Sequence, residues 1–152
     1  MAGLDIALAG EQFVLLPERA VYWPRQHLLM LADVHFGKDT HLQRSGISVP
    51  AIADQQDMLR LCRLLEQTQA KTLVILGDLF HAKPSGQEAA IKLWQPLCEQ
   101  FPATDIVAVK GNHDKQGAIQ QLPLQWIDEL QIGTIRFSHE PPASKPASYY
   151  TF

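Results

Sequence analysis

The sequence predicts an α/β layered fold with a mixed sheet whose central strands are parallel. Three aliphatic runs, residues 28–31, 73–76 and 106–109, carry this prediction. Each run lacks the polar alternation of a half-exposed strand, which indicates a strand that is buried on both faces. Helical patterns separate the three runs, as expected for parallel strands joined by crossover helices.

Antiparallel strands are expected at the edges of this sheet. Residues 13–16 and 20–23 are apolar segments on either side of a short polar turn, so they predict a hairpin that leads into the strand at 28–31. Residues 126–132 and 134–137 alternate well enough to predict a second pair of strands around a glycine.

Two amphipathic segments predict the helices that would cover the sheet. The first is helical because its apolar residues recur at spacings of three and four. It begins at Pro50, a residue type favoured in the first helical turn, and ends near Gln69. The second covers residues 87–99, where Pro96 is expected to kink or shorten the helix. The final segment, residues 138–152, contains several prolines and predicts an extended loop.

Composition limits the class of protein. A length of 152 residues with 46% hydrophobic content suits one domain with one core. The chain has 13 Lys and Arg against 16 Asp and Glu, which gives a formal charge of -3. It therefore has no global positive field that would attract nucleic acid, and any polyanion would have to be bound locally.

Two further features bear on the compartment. Cys62 and Cys98 fall within the helical patterns among aliphatic neighbours, which predicts small buried thiols in a reduced compartment rather than a disulfide or a zinc site. Residues 1–10 lack the basic start of a signal peptide, and no apolar run is long enough to span a bilayer. We therefore expect a cytoplasmic protein with no membrane partner.

Four short polar segments follow apolar runs of the sequence. Because open α/β sheets place their ligands at the carboxyl ends of the strands, the carboxylates and imidazoles of these segments are expected to lie together. Each segment alone has an ordinary explanation, since Asp caps helices and is common in turns. Together, after strands of one domain, they predict a metal site. The segments are Asp33-Val34-His35, Gly77-Asp78, Gly111-Asn112-His113-Asp114 and Ser138-His139-Glu140.

The residue types in these segments suit divalent ions. Asp33 and His35 lie two residues apart and together suit a borderline ion such as Mn, Fe or Zn. Gly77 would let the backbone approach the site closely and leave the Asp78 carboxylate free to bridge two ions. His139 could be a further ligand, although a hydrogen-bonded loop histidine is the alternative at that position.

The segment from Gly111 to Asp114 is the most specific of the four, because four special or polar residues in a row after a buried strand are hard to explain by packing. Asn112 can offer a neutral oxygen ligand, and His113 can donate a proton. Asp114 can hold the His113 ring in one tautomer, as carboxylates do beside functional histidines. A helix N-cap would explain Asp114 alone but not the set.

These segments resemble the signature of the calcineurin-type metallophosphoesterases. That signature reads Asp-x-His, Gly-Asp, Gly-Asn-His-Asp or Glu, a His, and Gly-His-x-His. The resemblance is closest to the bacterial ligase-associated DNA damage response endonucleases of this family, and it spans residues 28–141. It rests on residues 31–38, 44–50, 77–81, 111–114 and 139–141.

The resemblance implies a metallophosphoesterase-type β-sandwich flanked by helices. It also implies two divalent metal ions, with Mn expected first and Fe or Zn as alternatives. Asp33 and His35 would be ligands of one ion, and Asn112 and His139 would be ligands of the second. Asp78 would bridge both ions.

Further residues are candidates for catalysis and substrate binding. By the resemblance, His113 would assist the transition state or protonate the leaving group, with Asp114 supporting it, while metal-activated hydroxide hydrolyses the phosphodiester. Lys38 and Arg44 lie in a basic loop after the first ligands and could contact substrate phosphates, with solvated surface charges as the alternative. His81 could lie on the substrate side, with ordinary polar surface as its alternative.

One part of the family signature, Gly-His-x-His, is missing from the sequence. Residues 1–152 are therefore expected to form a single metallophosphoesterase domain that lacks its final strands. Each ion would lose one imidazole and keep three protein ligands, so the metal affinity should be lower than with the full signature.

Three functions are consistent with these residues. The first is a metal-dependent phosphodiesterase or endonuclease that acts on DNA in the DNA damage response, with an ATP-dependent DNA ligase and a repair helicase as partners by resemblance. The second is a phosphomonoesterase acting on a small metabolite or a phosphoprotein, since the same two-ion core serves both reactions. The third is an inactive truncated fragment that only binds a partner.

Overall fold

The computed structural model shows an α/β fold whose strands form two sheets. The residues it describes are 2–36, 53–79, 87–111, 114, 124–140 and 150–151. Within these ranges the strands are β1 (Leu4–Leu8), β2 (Glu11–Leu16), β3 (Ala20–Trp23), β4 (Leu28–Ala32), β5 (Thr72–Leu76), β6 (Asp105–Val109), β7 (Gln125–Ile127), β8 (Leu130–Ile132), β9 (Ile135–Phe137) and β10 (Tyr150–Thr151). The helices are α1 (Ala53–Thr68) and α2 (Gln87–Gln100), and a 3₁₀ turn spans Pro24–Gln26.

The larger sheet contains seven of the described strands in chain order, from β1 to β7. Strands β1 to β4 pair antiparallel, including the predicted hairpin of β2 and β3, and strands β4 to β7 pair parallel. The smaller sheet has the order β10-β9-β8. The mixed sheet with parallel central strands is therefore confirmed, whereas antiparallel strands lie at only one of its edges.

Alternation along the central strands divides their side chains between two cores. In β4, Leu29 and Leu31 pack in the core beneath the helices, and Leu28 and Met30 pack in the core that faces the smaller sheet. The same alternation runs through β5 and β6, since neighbouring residues of a strand point to opposite faces. Burial on both faces explains why these runs are aliphatic throughout.

Aromatic residues join the smaller sheet to the larger one. Phe137 of β9 is fully buried, and its ring centroid lies 6.3 Å from that of Trp23 in β3. The centroid of Trp23 lies 5.1 Å from that of Phe13 in β2. The expected β-sandwich flanked by helices is confirmed, and Phe137 anchors the chain two residues before His139.

Strand β1 is not among the elements that the sequence patterns predict. It pairs antiparallel with β2 along its whole length, from Leu4 opposite Leu15 to Leu8 opposite Glu11. Three of its five side chains are exposed, so the run has neither the continuous apolar character nor the clear alternation of the other strands. Its formation depends on pairing with β2.

Both predicted helices are present. α1 ends at Thr68, next to the expected end, while its expected start at Pro50 lies outside the described residues. α2 continues to Gln100 with Pro96 inside it, so the proline does not shorten the helix. Pro96 has no N–H, so it cannot donate the helical hydrogen bond to the carbonyl oxygen of Lys92. Both residues are exposed, so water can donate a hydrogen bond to this carbonyl oxygen instead. No helix within the described ranges is long and apolar enough to cross a membrane.

The segment expected as one strand over residues 126–132 is divided between the two sheets. Gln125–Ile127 forms β7, parallel to β6, and Leu130–Ile132 forms β8, antiparallel to β9. Asp128 and Glu129 between them are exposed and interrupt the apolar residues, so the chain leaves one sheet for the other at this point. The predicted pair of strands around a glycine is therefore β8 and β9 alone.

The C-terminal segment also differs in part from its expected loop. Residues 141–149 and 152 lie outside the described ranges. Tyr150 and Thr151 form a short strand that pairs parallel with β9, opposite Ile135 and Arg136. The prediction of a loop is therefore wrong for these two residues, because strand pairing with β9 is a long-range contact that local composition does not record.

Candidate metal centre

The loops after β4 and β5 place two carboxylates side by side. Asp33 follows β4 and Asp78 follows β5, and the two strands are parallel neighbours. Beyond the sheet, the N–H of His35 donates to the carbonyl oxygen of Asp78 at 3.0 Å. The N–H of Phe36 donates to the carbonyl oxygen of Leu79 at 2.9 Å. The pairing of the strands thus continues into the loops and fixes Asp33 beside Asp78.

His139 completes a group of three side chains, Asp33, Asp78 and His139, which we call the ligand cluster. Nδ1 of His139 lies 3.8 Å from Oδ1 of Asp33, and Nε2 of His139 lies 3.8 Å from Oδ2 of Asp78. One potential ligand atom from each residue lies within 4.8 Å of the other two. Two carboxylate oxygens and an imidazole nitrogen suit a divalent ion such as Mn, Fe or Zn, so the residues present fit a metal.

The exposure of the ligand cluster increases from the interior to the solvent. The side chain of Asp78 is 8% exposed, that of His139 is 17% exposed and that of Asp33 is 57% exposed. A bound ion would be held from the interior by Asp78 and would face solvent on the Asp33 side.

The backbone at Asp33 and Asp78, and at two residues close to them in sequence, adopts left-handed conformations. The φ angle is 47° at Asp33, 55° at His35, 40° at Asp78 and 73° at Gly77. Residues other than glycine rarely occupy this region, and the strain, on the order of 1–3 kcal/mol per residue, persists only where surrounding contacts impose it. Strained residues of this kind concentrate at functional sites, which agrees with a site at the ends of β4 and β5.

Two glycines allow the close contacts within the ligand cluster. A Cβ atom on Gly77 would overlap the imidazole ring of His139, and a Cβ atom on Gly111 would overlap Oδ1 of Asp78. The close backbone approach expected at Gly77 is therefore present, and it is made to His139. A larger residue at either position would have to move a member of the cluster.

Asp114 supports the cluster from the loop after β6. Its side chain is buried, and its Oδ2 atom accepts hydrogen bonds from the N–H of Gly111 at 3.0 Å and from the N–H of Leu79 at 3.4 Å. One carboxylate oxygen thus ties the loop after β6 to the loop after β5, which carries Asp78. The expected contact of Asp114 with His113 involves a residue outside the described ranges, so it stays a prediction.

Comparison with protein families identifies the kind of site. The family model described as calcineurin-like phosphoesterase matches residues 27–150, which include every strand from β4 to β9 and the whole ligand cluster. The chain belongs to the calcineurin-like phosphoesterase family. It is therefore a hydrolase that acts on phosphate esters, and this family uses divalent metal ions.

The fold of this phosphoesterase is also similar to a solved structure. The crystal structure of the Pseudomonas putida nuclease MPE matches with a TM-score of 0.79 and 25% sequence identity, over 99% of this chain and 71% of that chain. This match is consistent with the resemblance that the sequence motifs indicate. A search of the curated proteins found no significant match.

The structure describes only some of the predicted site residues of the phosphoesterase. Asp33, Asp78 and His139 converge at one point. The backbone of His35 contacts Asp78, but the His35 side chain is not part of the three-residue cluster. Asp114 lies in the loop after β6, as described above. The remaining predicted site residues lie outside the described ranges, and they are Lys38, Arg44, His81, Asn112 and His113.

Lys110 is a residue close to the cluster that the sequence patterns do not single out. It follows β6 directly and precedes Gly111, which touches Asp78. Its ammonium nitrogen lies 3.0 Å from Oδ1 of Asp128. The signal that could have indicated it is its position immediately before the Gly-Asn-His-Asp segment.

The cysteines of the phosphoesterase lie away from the ligand cluster, on the helices. Cys62 of α1 and Cys98 of α2 are half-buried free thiols packed against the core beneath the helices. Burial raises the pKa of both thiols, so both stay protonated at neutral pH. Both thiols are free and pack against the core, but they are half-buried rather than fully buried as the sequence predicts.

Proposed function

We propose that this phosphoesterase hydrolyses phosphodiesters, that DNA is its substrate and that the ligand cluster holds its divalent metal. The observation that carries the proposal is the convergence of Asp33, Asp78 and His139 within 4.8 Å at the carboxyl ends of the strands. The choice of a phosphodiester is supported by the fold of a nuclease at 25% sequence identity.

The proposed metal centre contains two divalent ions, with Mn as the preferred metal. Asp33 and His35 would hold one ion, Asn112 and His139 would hold the other, and Asp78 would be shared between them. Ions bound there would polarise the phosphoryl oxygens and lower the pKa of a bound water. Asp78 is the most buried of the three cluster residues, and its two carboxylate oxygens could each face one ion, which supports its assignment as the shared ligand.

The other roles concern protons and substrate phosphates. His113 protonates the leaving oxygen, and Asp114 positions the loop that carries it. This assignment of Asp114 is supported by its burial and by its two hydrogen bonds from backbone N–H groups. Lys38, Arg44 and His81 are assigned to substrate binding from their sequence positions alone.

The wider assignments follow the same resemblance. We place the protein in the DNA damage response, in the cytoplasm, with an ATP-dependent DNA ligase and a repair helicase as its partners. We also treat residues 1–152 as one metallophosphoesterase domain, because both hydrophobic cores are built on the two faces of the same seven-stranded sheet.

Hydrolysis of bis(p-nitrophenyl) phosphate over a Mn²⁺ concentration series tests the metal-dependent chemistry. We expect a rate that saturates with Mn²⁺ and falls about 100-fold in Asp78→Asn, since a neutral amide replaces the charged carboxylate at the metal. Asp105→Asn is the matched control, because Asp105 is an exposed aspartate at the opposite, amino end of β6. It should keep the wild-type rate.

A substrate panel then separates the alternatives. Hydrolysis of single-stranded DNA and of bis(p-nitrophenyl) phosphate supports a phosphodiesterase. Preference for p-nitrophenyl phosphate and phosphoserine would replace it with a phosphomonoesterase. A folded protein that neither takes up Mn²⁺ nor hydrolyses any of these esters would contradict the proposal and leave partner binding as the function.

A further inference from the structure

We propose that Lys110 binds a phosphate of the substrate next to the ligand cluster, and that Asp128 holds its ammonium group in place until the phosphate replaces it. The proposal rests on the proposed function, since it requires an anionic phosphate-ester substrate at the cluster. It adds a phosphate-binding residue directly after β6, and its partner directly after β7, to the site.

The position of Lys110 places it beside the ligand cluster. The residue before it, Val109, accepts a hydrogen bond from the N–H of Gly77 at 2.9 Å. The residue after it, Gly111, touches the carboxylate of Asp78. Consecutive Cα atoms are about 3.8 Å apart, so Lys110 begins one residue from that contact. Its flexible four-carbon stem can carry the charge to a phosphate that is bound at the cluster.

The backbone of Lys110 is fixed, while its side chain remains accessible. Its N–H donates to the carbonyl oxygen of Ile127 at 2.9 Å, which extends the parallel pairing of β6 and β7 by one residue. Its ammonium nitrogen meets Oδ1 of Asp128 at 3.0 Å, and the two side chains are 39% and 87% exposed. A strand end held by backbone hydrogen bonds thus presents a solvent-accessible cation one residue before Gly111, which touches Asp78.

The ion pair of Lys110 and Asp128 is weak enough to be exchanged. Exposed ion pairs contribute little to stability, because water screens both charges. A phosphate diester offers the lysine the same negative charge as the carboxylate does, so the exchange loses little. A local cation matters in this protein because the chain has a formal charge of -3 and no global field for a polyanion.

A second ion pair provides a matched comparison. Arg136 and Glu129 form another exposed pair, with side chains 28% and 48% exposed. Glu129 is the sequence neighbour of Asp128, so neutralising either residue changes the net charge equally and at nearly the same place. Only the Asp128 substitution releases Lys110. If only the net charge matters, Asp128→Asn and Glu129→Gln should change the DNA affinity equally. The proposal instead predicts a larger increase in affinity for Asp128→Asn.

Fluorescence anisotropy of a labelled single-stranded DNA tests the proposal over a series of KCl concentrations. The DNA carries hydrolysis-resistant phosphorothioate linkages, so that Mn²⁺ can stay present. Lys110→Gln should weaken binding about three- to fivefold, the range of one exposed ion pair. It should also reduce the slope of log affinity against log salt by about 0.7, the value for one contact to a single-strand phosphate.

The partner substitutions complete the design as a double-mutant cycle. Asp128→Asn should tighten binding about two- to threefold, because the lysine no longer has to leave a carboxylate. This gain should vanish in the Lys110→Gln background, since the two residues act together. Glu129→Gln should have a smaller effect that is the same with and without Lys110. Thermal melting of each variant checks that the exposed substitutions leave the fold intact.

The results separate this proposal from the proposed function. Wild-type DNA binding that is unchanged in Lys110→Gln would overturn the role of Lys110 and leave the function standing. Equal and Lys110-independent gains from Asp128→Asn and Glu129→Gln would overturn the role of Asp128. Wild-type protein that does not bind DNA, yet hydrolyses bis(p-nitrophenyl) phosphate with Mn²⁺, would overturn both DNA as the substrate and the present proposal.

Discussion

Gly111 lies directly against the carboxylate of Asp78, so that a Cβ atom on Gly111 would overlap both Oδ1 and the backbone nitrogen of Asp78. The N–H of Gly111 is held by Oδ2 of Asp114 at 3.0 Å. The loop after β6 therefore limits where the Asp78 carboxylate can lie, although Asp78 belongs to the loop after β5. Metal binding should depend on a residue that has no side chain.

Replacing Gly111 by alanine is expected to displace Asp78. Gly111 is not among the residues with a positive φ, so the substitution adds a steric overlap without backbone strain. We expect Mn²⁺ affinity to fall about 10- to 100-fold, as for other residues that orient a metal ligand. Overpacking should also lower the free energy of unfolding by about 1–3 kcal/mol. Isothermal titration calorimetry and urea unfolding measure the two effects.

Gly133→Ala is the matched control for this substitution. Gly133 has a φ of 60° and no heavy atom within 4 Å of an added Cβ, so alanine there adds strain without overlap. Stability should fall by about 1 kcal/mol while Mn²⁺ affinity stays at the wild-type value. An equal loss of Mn²⁺ affinity in both variants would contradict a specific role for the Gly111 contact.

The strands that carry the site could be predicted from the sequence because their burial is local information. Residues 28–31, 73–76 and 106–109 are buried on both faces, so each is an uninterrupted aliphatic run. β1 could not be predicted in the same way, because its exposed side chains leave a weak pattern and its formation depends on pairing with β2.

The site could be predicted only in part, because residue types are visible in a sequence and distances are not. Asp33 and Asp78 follow neighbouring parallel strands, which made their proximity predictable. His139 comes from the other sheet, and its position depends on the packing of Phe137 against Trp23. Contacts between separate loops also depend on distances that a sequence does not show. For this reason the sequence does not predict the ion pair of Lys110 and Asp128.

Removal of the His139 imidazole is expected to weaken metal binding. The ring contacts the carboxylates of both Asp33 and Asp78, so it supplies one of three converging ligand atoms. For His139→Ala we expect Mn²⁺ affinity to fall about 10- to 100-fold. A bound metal stabilises the folded protein by an amount that depends on the ratio of the free metal concentration to Kd. Weaker binding in the variant should therefore give a smaller rise in melting temperature when Mn²⁺ is added. Differential scanning fluorimetry with and without EDTA gives this readout.

His27→Asn is the control, because it removes a histidine that lies away from the ligand cluster. His27 precedes β4 at the opposite end of the strand and has a left-handed φ of 49°, which asparagine tolerates well. Its Mn²⁺-dependent shift should equal that of the wild type. A full Mn²⁺ shift in His139→Ala would show that the imidazole is not a ligand.

Truncation of Phe137 is expected to destabilise the sandwich core. The side chain is fully buried against Trp23, so Phe137→Ala should lower the free energy of unfolding by about 3–5 kcal/mol. Leu59→Ala is the comparison, because Leu59 is 57% exposed and its truncation should change stability by no more than about 0.5 kcal/mol. Urea unfolding followed by tryptophan fluorescence measures both variants. Similar losses would contradict the packing of the two sheets.

The milder variant Phe137→Leu tests whether the same packing positions His139. It keeps an apolar side chain, so the fold should persist, but β9 can shift and carry the imidazole away from the carboxylates. We expect weaker Mn²⁺ binding by calorimetry in a protein that still unfolds cooperatively. Unchanged Mn²⁺ affinity would mean that the loop after β9 holds His139 independently of the core.

The two cysteines predict a loss of stability at high pH. Burial, with an added contribution from the charge of Glu66, raises the pKa of the Cys62 thiol above its usual value of 9.0. Burial likewise raises the pKa of the Cys98 thiol. The folded state therefore retains thiol protons at a pH where the unfolded state has released them. By linkage, stability decreases as the pH rises from about 9 towards the folded-state pKa values, and it is unaffected by these groups below that range.

Urea unfolding between pH 8 and pH 10, compared with the double variant Cys62→Ala/Cys98→Ala, isolates this effect from other groups that titrate there. The wild type should lose more stability than the variant over this interval. Alkylation by iodoacetamide gives an independent check, because only the thiolate reacts. Labelling of the folded protein at neutral pH should be slow, and it should accelerate in urea. The prediction is contradicted if the free energy of unfolding changes with pH equally in wild type and variant, and if iodoacetamide labels the folded protein rapidly. The thiols would then be as accessible as in an unfolded chain.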